Sequence, residues 1–210
     1  MAYKVLIPCD IAAAGKDYLR NKGYEIIMRT SNSIEDMCRE IVDCDAIIAW
    51  HSKYTAAVLE AGPKLKVLSK HGVGLDNIDL KRATELGIEV TYGPCSNTNS
   101  VAEHTIAMLL ALATDMVHMD HETRKGNWWS RDTTKAMEIS GKVLGIVGMG
   151  RIGRLIAAKA ALGLEMKVIG YDAYLPREAV PKEIEQVHSL EEVFEHSDFV
   201  SLHMPLTPET

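Results

Sequence analysis

Gly148-Met149-Gly150-Arg151-Ile152-Gly153 has the spacing G-x-G-x-x-G, and its setting gives the glycines work to do. The apolar run KVLGIV precedes it, a helical pattern opens within it, and an acid, Asp172, ends the next apolar run 19 residues beyond Gly153. In such a unit the first glycine permits the tight strand-to-helix turn. The second lets a pyrophosphate approach the backbone, and the third lets helix and strand pack closely. The N–H groups at the helix start, with the partial positive charge there, favour the phosphates. Asp172 would accept from the adenosine ribose hydroxyls and repel a 2′-phosphate, which favours NAD over NADP. Arg177, shortly beyond, is the one nearby cation that a 2′-phosphate could meet.

A second candidate is SKHGVGLDNIDL, Ser69 to Leu80. It follows an apolar run, carries Gly72 and Gly74, and leads into a helix near Asp79. Consecutive backbone N–H groups in such a loop can cradle a carboxylate. His71 beside it reads either as a catalyst or as a structural residue. His104 is expected to be a hydrogen-bonded core residue. His203, ending the last strand, has no assignable carboxylate partner to tune it. No cluster with metal-ligand spacing is evident, so no metal is expected.

The elements that must position these residues alternate. Strands are expected at KVLIP, YEIIM, DAIIA, LKVLS and IEVT in the first hundred residues, with helices between them. Gly23 and Gly87 mark helix ends, and Ser33 with Asp36 marks a helix start. Strands apolar throughout and separated by helices imply a parallel sheet covered on both faces. SVAEHTIAMLLALATDMVHMD then predicts one long helix, opened by Ser100 with Glu103 and buried on several sides, as between two domains or at a subunit interface. HETRKGNWWSRDTTKAMEISG follows without a period, as a surface loop or a dimer arm. From Lys142 the alternation resumes: KVLGIVG, a helix to about Leu162 capped by Gly163, MKVIGYD, a short strand near EIEQVH, a helix capped by Ser189 and Glu192, and DFVSLH. Four strands stand there where a dinucleotide fold has six.

Composition bounds the function. The 210 residues suffice for a large core, and 47% apolar with 25% charged residues is an ordinary globular balance. A net charge of −6 argues against nucleic acid and anionic membrane surfaces as partners. Cys9, Cys38, Cys44 and Cys95 show no C-x-x-C spacing, which suggests reduced thiols and a cytoplasmic protein. No signal peptide or bilayer-spanning run is read in the sequence.

The stretches HGVGLDNIDL, SNTNSVAEHTIAMLLAL, KGNWW, GKVLGIVGMGRIGR with GYDAY, and DFVSLHMPLTPET together resemble the D-isomer-specific 2-hydroxyacid dehydrogenases, a family that includes D-3-phosphoglycerate dehydrogenase. The resemblance runs along the whole chain in order. It implies an α/β protein with a flavodoxin-like substrate domain, 1–99, followed by a partial Rossmann dinucleotide-binding domain, 100–210, with the catalytic cleft between them. It implies a homodimer through the linking helix and the GNWW arm, NAD as cofactor, and a small 2-hydroxy or 2-keto acid as substrate. By position, Val73 and Gly74 resemble the donors to the substrate carboxylate, and Val101 a residue that touches the cofactor. Arg151 and Ile152 match positions under the pyrophosphate, and Asp172 matches the ribose acid. Met204, Pro205 and Thr210 match the loop running toward the nicotinamide. In the family the catalytic arginine, glutamate and histidine lie beyond PLTPET, so the resemblance places no catalytic residue within this chain and implies a fragment of a longer enzyme. A natural truncation without activity and an NAD(H)-responsive corepressor are the other readings. One departure stands out: phosphoglycerate-type members tend to carry an arginine where this chain reads IIAWHSKYT, with only His51 and Lys53 as cations. Glyoxylate and hydroxypyruvate are therefore expected substrates alongside 3-phosphoglycerate.

Overall fold

The structure, a computed structural model, describes residues 2–29, 33–207 and 210. The chain divides into two units, Met1–Asn97 and Thr98–Thr210. In the first unit, β1 (Lys4–Ile7), β2 (Glu25–Met28), β3 (Ala46–Ala49), β4 (Val67–Lys70) and β5 (Glu89–Tyr92) alternate with α1 (Ala13–Asn21), α2 (Ile34–Glu40), α3 (Ala56–Glu60) and α4 (Leu80–Glu85). The strands form one parallel sheet in the order β2-β1-β3-β4-β5. This is the flavodoxin-like order. Leu6, Ile47 and Leu68 from its three central strands are fully buried, together with Met37, Ile41, Val58 and Leu59 from the covering helices. The local signals work as expected. The Ser33 hydroxyl accepts from the Asp36 N–H (3.0 Å), the Asp79 carboxylate accepts from the Arg82 N–H (2.9 Å), and Gly23 and Gly87 take positive φ after α1 and α4.

The second unit holds α5 (Thr98–Ala113), α6 (Met116–Arg124), β6 (Val143–Val147), α7 (Arg151–Leu164), β7 (Lys167–Tyr171), β8 (Glu185–Gln186), α8 (Leu190–His196) and β9 (Phe199–Leu202). Its parallel sheet has the order β8-β7-β6-β9, the first four positions of the Rossmann arrangement. Leu144, Ile146, Ile156, Ala157 and Ala160 pack under α5 through Ala102 and Leu109. At the start of α8, the Ser189 hydroxyl accepts from the Glu192 N–H (3.2 Å), and Glu192 reaches back to the His188 N–H (3.1 Å). Each sheet also carries the same fastening. Asp45, just before β3, accepts from the Lys4 N–H at the start of β1 (2.9 Å). Asp198, just before β9, accepts from the Val143 N–H at the start of β6 (2.8 Å).

Several expectations are corrected. The long helix breaks into α5 and α6, which meet at a 65° bend. Asp115 turns left-handed there (φ 52°), a conformation aspartate tolerates, and the Ala113 carbonyl accepts instead from the Met137 N–H (2.8 Å). α5 starts at Thr98 rather than Ser100, and Glu103 accepts from the Asn99 side chain (2.6 Å) rather than closing a capping box. Within the single chain, Leu112 and Val117 are 73% and 78% exposed. His104 likewise points outward and is exposed, not in the core. α7 runs past Gly163 to Leu164 and ends on left-handed Glu165 (φ 55°); the Met166 N–H then reaches the Ala160 carbonyl (3.2 Å), and Met166 is buried.

Candidate functional site

The glycine turn after β6 is built by close approaches. Gly148 takes φ +92° and donates its N–H to the Tyr171 carbonyl at the end of β7 (2.8 Å). A Cβ there would lie 2.6 Å from the Met204 nitrogen, so only glycine lets the chain leaving β9 cross the turn. A Cβ on Gly153 would collide with the Gly148 carbonyl, which seats α7 directly on the turn. Gly150 is different: nothing lies within 4 Å of the place its Cβ would occupy. Gly150 also caps α7, and no side chain fills the cap. The first N–H groups of α7, on Arg151 and Ile152, therefore open beside unfilled space, as a phosphate site requires.

Asp172 follows β7 and is half-buried. One carboxylate oxygen accepts from the Met149 N–H inside the turn (2.8 Å), and the other accepts from the N–H groups of Tyr174 (2.9 Å) and Leu175 (3.1 Å). Met149 is fully buried against Gly170, which fixes the middle of the turn from below. The acid is thus fastened to the glycine turn, and the oxygen that takes the Met149 N–H keeps one acceptor site. The residues present fit a dinucleotide, with open N–H groups at Arg151 and Ile152 beside Gly150 and a carboxylate at Asp172.

The chain leaving β9 follows the same edge. The His203 N–H donates to the Val147 carbonyl (2.7 Å), and its Nε2 pairs with the Ser201 hydroxyl (2.8 Å). Burial pushes the His203 imidazole below its usual range and favours the neutral ring. Met204 packs on Val147, Ile169, Val187 and Val193, while Pro205 is exposed. The Thr210 hydroxyl donates to the Pro205 carbonyl (2.8 Å); positions 208 and 209 of this loop lie outside the described residues. Val101 lies half-buried in the first turn of α5, where its carbonyl accepts from the Thr105 hydroxyl (2.9 Å).

In the first unit, the loop between β4 and α4 presents the other candidate. Among the described residues, the N–H groups of Val73 and Gly74 donate to no protein acceptor. Gly72 (φ +139°) turns the chain there, and its carbonyl accepts from the Gly93 N–H (3.0 Å). Asp76 flanks the loop, with Oδ1 2.7 Å from where a Gly74 Cβ would lie. His71 is exposed and meets the Trp50 ring edge-on (5.2 Å between centroids), while His51 stacks on Trp50 (4.4 Å). Among the described residues, no group of three or more His, Cys, Asp or Glu side chains could hold a metal ion.

The family model described as "D-isomer specific 2-hydroxyacid dehydrogenase, NAD binding domain" matches residues 106–210. The chain belongs to the D-isomer-specific 2-hydroxyacid dehydrogenase family. Its second unit carries the family's NAD-binding domain. The chain is 36% identical over 208 residues to D-3-phosphoglycerate dehydrogenase of Archaeoglobus fulgidus, covering 99% of this chain and 39% of that protein. It is 43% identical over 176 residues to glyoxylate reductase of Korarchaeum cryptofilum, covering 81% of this chain and 52% of that one. The crystal structure of NAD-dependent formate dehydrogenase from Staphylococcus aureus, in complex with NAD, superposes with TM-score 0.84 at 32% identity, covering all of this dehydrogenase-family chain and 66% of the other. The chain spans about two-fifths of the length of the phosphoglycerate dehydrogenase it matches.

Sequence reasoning missed two parts of the site. One is the triple backbone brace on Asp172, which no spacing rule reveals. The other is Lys70 with Asn77; the only signal was a lysine ending an apolar strand, followed by Leu-Asp-Asn in a glycine loop.

Proposed function

We propose that this chain forms the substrate unit and the cofactor unit of an NAD-dependent oxidoreductase that moves a hydride between the nicotinamide and C2 of a small D-2-hydroxy or 2-keto acid. The observation that carries this reading is the open Gly150 turn braced to Asp172. NAD, when bound, supplies the hydride acceptor or donor. The chain's own residues bind and orient. The amides of Arg151 and Ile152 hold the pyrophosphate, and Asp172 holds the ribose and repels a 2′-phosphate. Val101, Met204, Pro205 and Thr210 line the path toward the nicotinamide end. The free N–H groups of Val73 and Gly74 hold the substrate carboxylate and so set which face of C2 is presented. No group described in this chain is placed as the proton donor, and the arginine, glutamate and histidine of the family are assigned to residues beyond Thr210. The imidazole of His203 is left out of that role because it pairs with a serine hydroxyl and burial keeps it neutral.

Glyoxylate and hydroxypyruvate fit this chain at least as well as a phosphorylated acid, because the end of β3 offers stacked Trp50 and His51, and the Arg29 guanidinium that reaches this loop is engaged by the Ser52 hydroxyl (2.9 Å) and the Ser33 carbonyl (2.6 Å). A second copy of the chain is the proposed partner, through the exposed Leu112, Val117, Trp128 and Trp129. Arg131 lies 5.6 Å from both tryptophan rings and holds them outward. Calorimetric titration of the chain with NAD and NADP tests the cofactor assignment, with tighter binding of NAD expected. Turnover of glyoxylate, hydroxypyruvate and 3-phosphohydroxypyruvate with NADH by the longer native protein tests the reaction. NADP binding as tightly as NAD, or no turnover of any of the three acids, overturns the proposal.

A further inference from the structure

A lysine at the end of a strand, beside a loop with free N–H groups, reads first as a cation that holds the ligand. Lys70 does something else. Its ammonium turns inward and donates to the Trp50 carbonyl (2.6 Å) and to Asn77 Oδ1 (2.7 Å). The Asn77 amide in turn donates to the carbonyls of Trp50 (2.7 Å) and Ser52 (2.6 Å). Further bonds continue the seam: the Asn77 carbonyl accepts from the Tyr54 N–H (2.8 Å), and the Tyr54 carbonyl from the Asp79 N–H (3.0 Å). Beneath them Tyr54 is fully buried, and its hydroxyl accepts from the Trp50 N–H (3.1 Å).

The seam joins two loops end to end. The loop after β3, from Trp50 to Tyr54, is sewn to the far end of the loop that carries Val73 and Gly74. The near end of that second loop is held by the Trp50 indole against His71, and by the His71 N–H on the Ala49 carbonyl (2.8 Å). The Lys70–Asn77 hydrogen bond joins the near end of the second loop to its far end. Asp76 adds a reason for a cation here: its carboxylate flanks Gly74, and the Lys70 charge opposes its repulsion of any incoming anion.

We infer that Lys70, with Asn77, is a positioning residue: it holds the Val73–Gly74 amides open for the substrate carboxylate and does not touch the substrate. This rests on the dehydrogenase reading above. The test uses the longer native protein and the variants Lys70→Met, Lys70→Arg and Asn77→Ala. Steady-state kinetics with glyoxylate and hydroxypyruvate are measured alongside amide hydrogen exchange at Tyr54 and Asp79. Lys70→Met is expected to raise KM about tenfold or more with kcat within about threefold, since it removes ground-state and transition-state binding together. Asn77→Ala, which keeps the charge, is expected to raise KM in the same direction. Lys70→Arg, which can still donate to both acceptors, is expected to recover most of the loss. Exchange at Tyr54 and Asp79 is expected to quicken about tenfold in Lys70→Met and Asn77→Ala. A fall in kcat at unchanged KM, or unchanged exchange in both variants, overturns the inference. If the native protein turns over no 2-keto acid, the dehydrogenase reading fails by itself, and the exchange rates still decide whether Lys70 and Asn77 hold the loop. Should Lys70→Met not fold, Asn77→Ala carries the same decision.

Discussion

Replacing Asp172 with alanine removes three backbone hydrogen bonds at once, those from Met149, Tyr174 and Leu175. Hydrogen bonds to a charged acceptor contribute about 1.5–3 kcal/mol each in mutational series. Asp172 is half-buried, so water replaces part of that loss, and a total of about 2–3 kcal/mol is expected. For a chain of this size each kcal/mol lowers Tm by about 2–4 °C, giving a fall of roughly 4–12 °C. The cofactor effect is separate. Losing the charge-assisted bond to the ribose removes a further ~2–3 kcal/mol of binding, which weakens NAD about 30- to 150-fold. NADP should weaken far less, because the repulsion of its 2′-phosphate disappears with the carboxylate, so discrimination between the two collapses. Thermal unfolding and calorimetric titration of the same variant read both effects. A lower Tm with an unchanged Kd for NAD would mean that Asp172 braces the turn but does not hold the ribose. If neither moves, the role given to this carboxylate is wrong.

Gly148→Ala places a methyl group against the Met204 nitrogen at φ +92°, so a loss of about 3 kcal/mol or more is expected in urea unfolding, with NAD binding impaired. Burial pushes the Tyr54 hydroxyl from 10.0 to about 12. The unfolded chain then loses this proton first as pH rises, and stability declines through the window from 10.0 to about 12 by about 1.4 kcal/mol per pH unit. Tyr54→Phe should remove that part of the alkaline slope; an unchanged slope would assign it to other groups. Exchanging Leu112 and Trp129 for aspartate should turn a dimer into a monomer by light scattering without changing NAD affinity, whereas an unchanged mass would place any interface elsewhere.

Much of the fold was legible because its signals are local. The five apolar runs of the first unit became β1 to β5 within a residue or two, and Ser33, Asp79, Gly23 and Gly87 end or begin helices where their chemistry says they should. The glycine fingerprint was legible for the same reason: Gly148 and Gly153 answer close approaches that strand-turn-helix geometry dictates, and Gly150 leaves the helix start open. What escaped was decided by tertiary partners. The break at Asp115 depends on the Met137 N–H arriving from more than twenty residues away to take a helix carbonyl. The helix end at Glu165 depends on burying Met166, which outweighs the local preference for glycine at the left-handed position. His104 looked internal because its neighbours are apolar, yet periodicity cannot say which face of α5 is covered. Lys70 is the sharpest case. Its type suggests a ligand, and only the positions of Trp50 and Asn77 show that it faces inward.

The paired aspartates at the strand starts bear on how the chain can be cut and rejoined. Asp45 and Asp198 each lock the first N–H of the strand that opens their unit's sheet in the chain, β1 or β6, to the strand beside it. A parallel sheet that slips by one residue turns every buried side chain outward, so an anchor at the start of one strand pair sets the alignment of that pair. Both anchors are internal to their own unit. A linker lengthened at Asn97–Thr98, or a chain divided there, leaves each lock whole and each sheet able to find its own alignment.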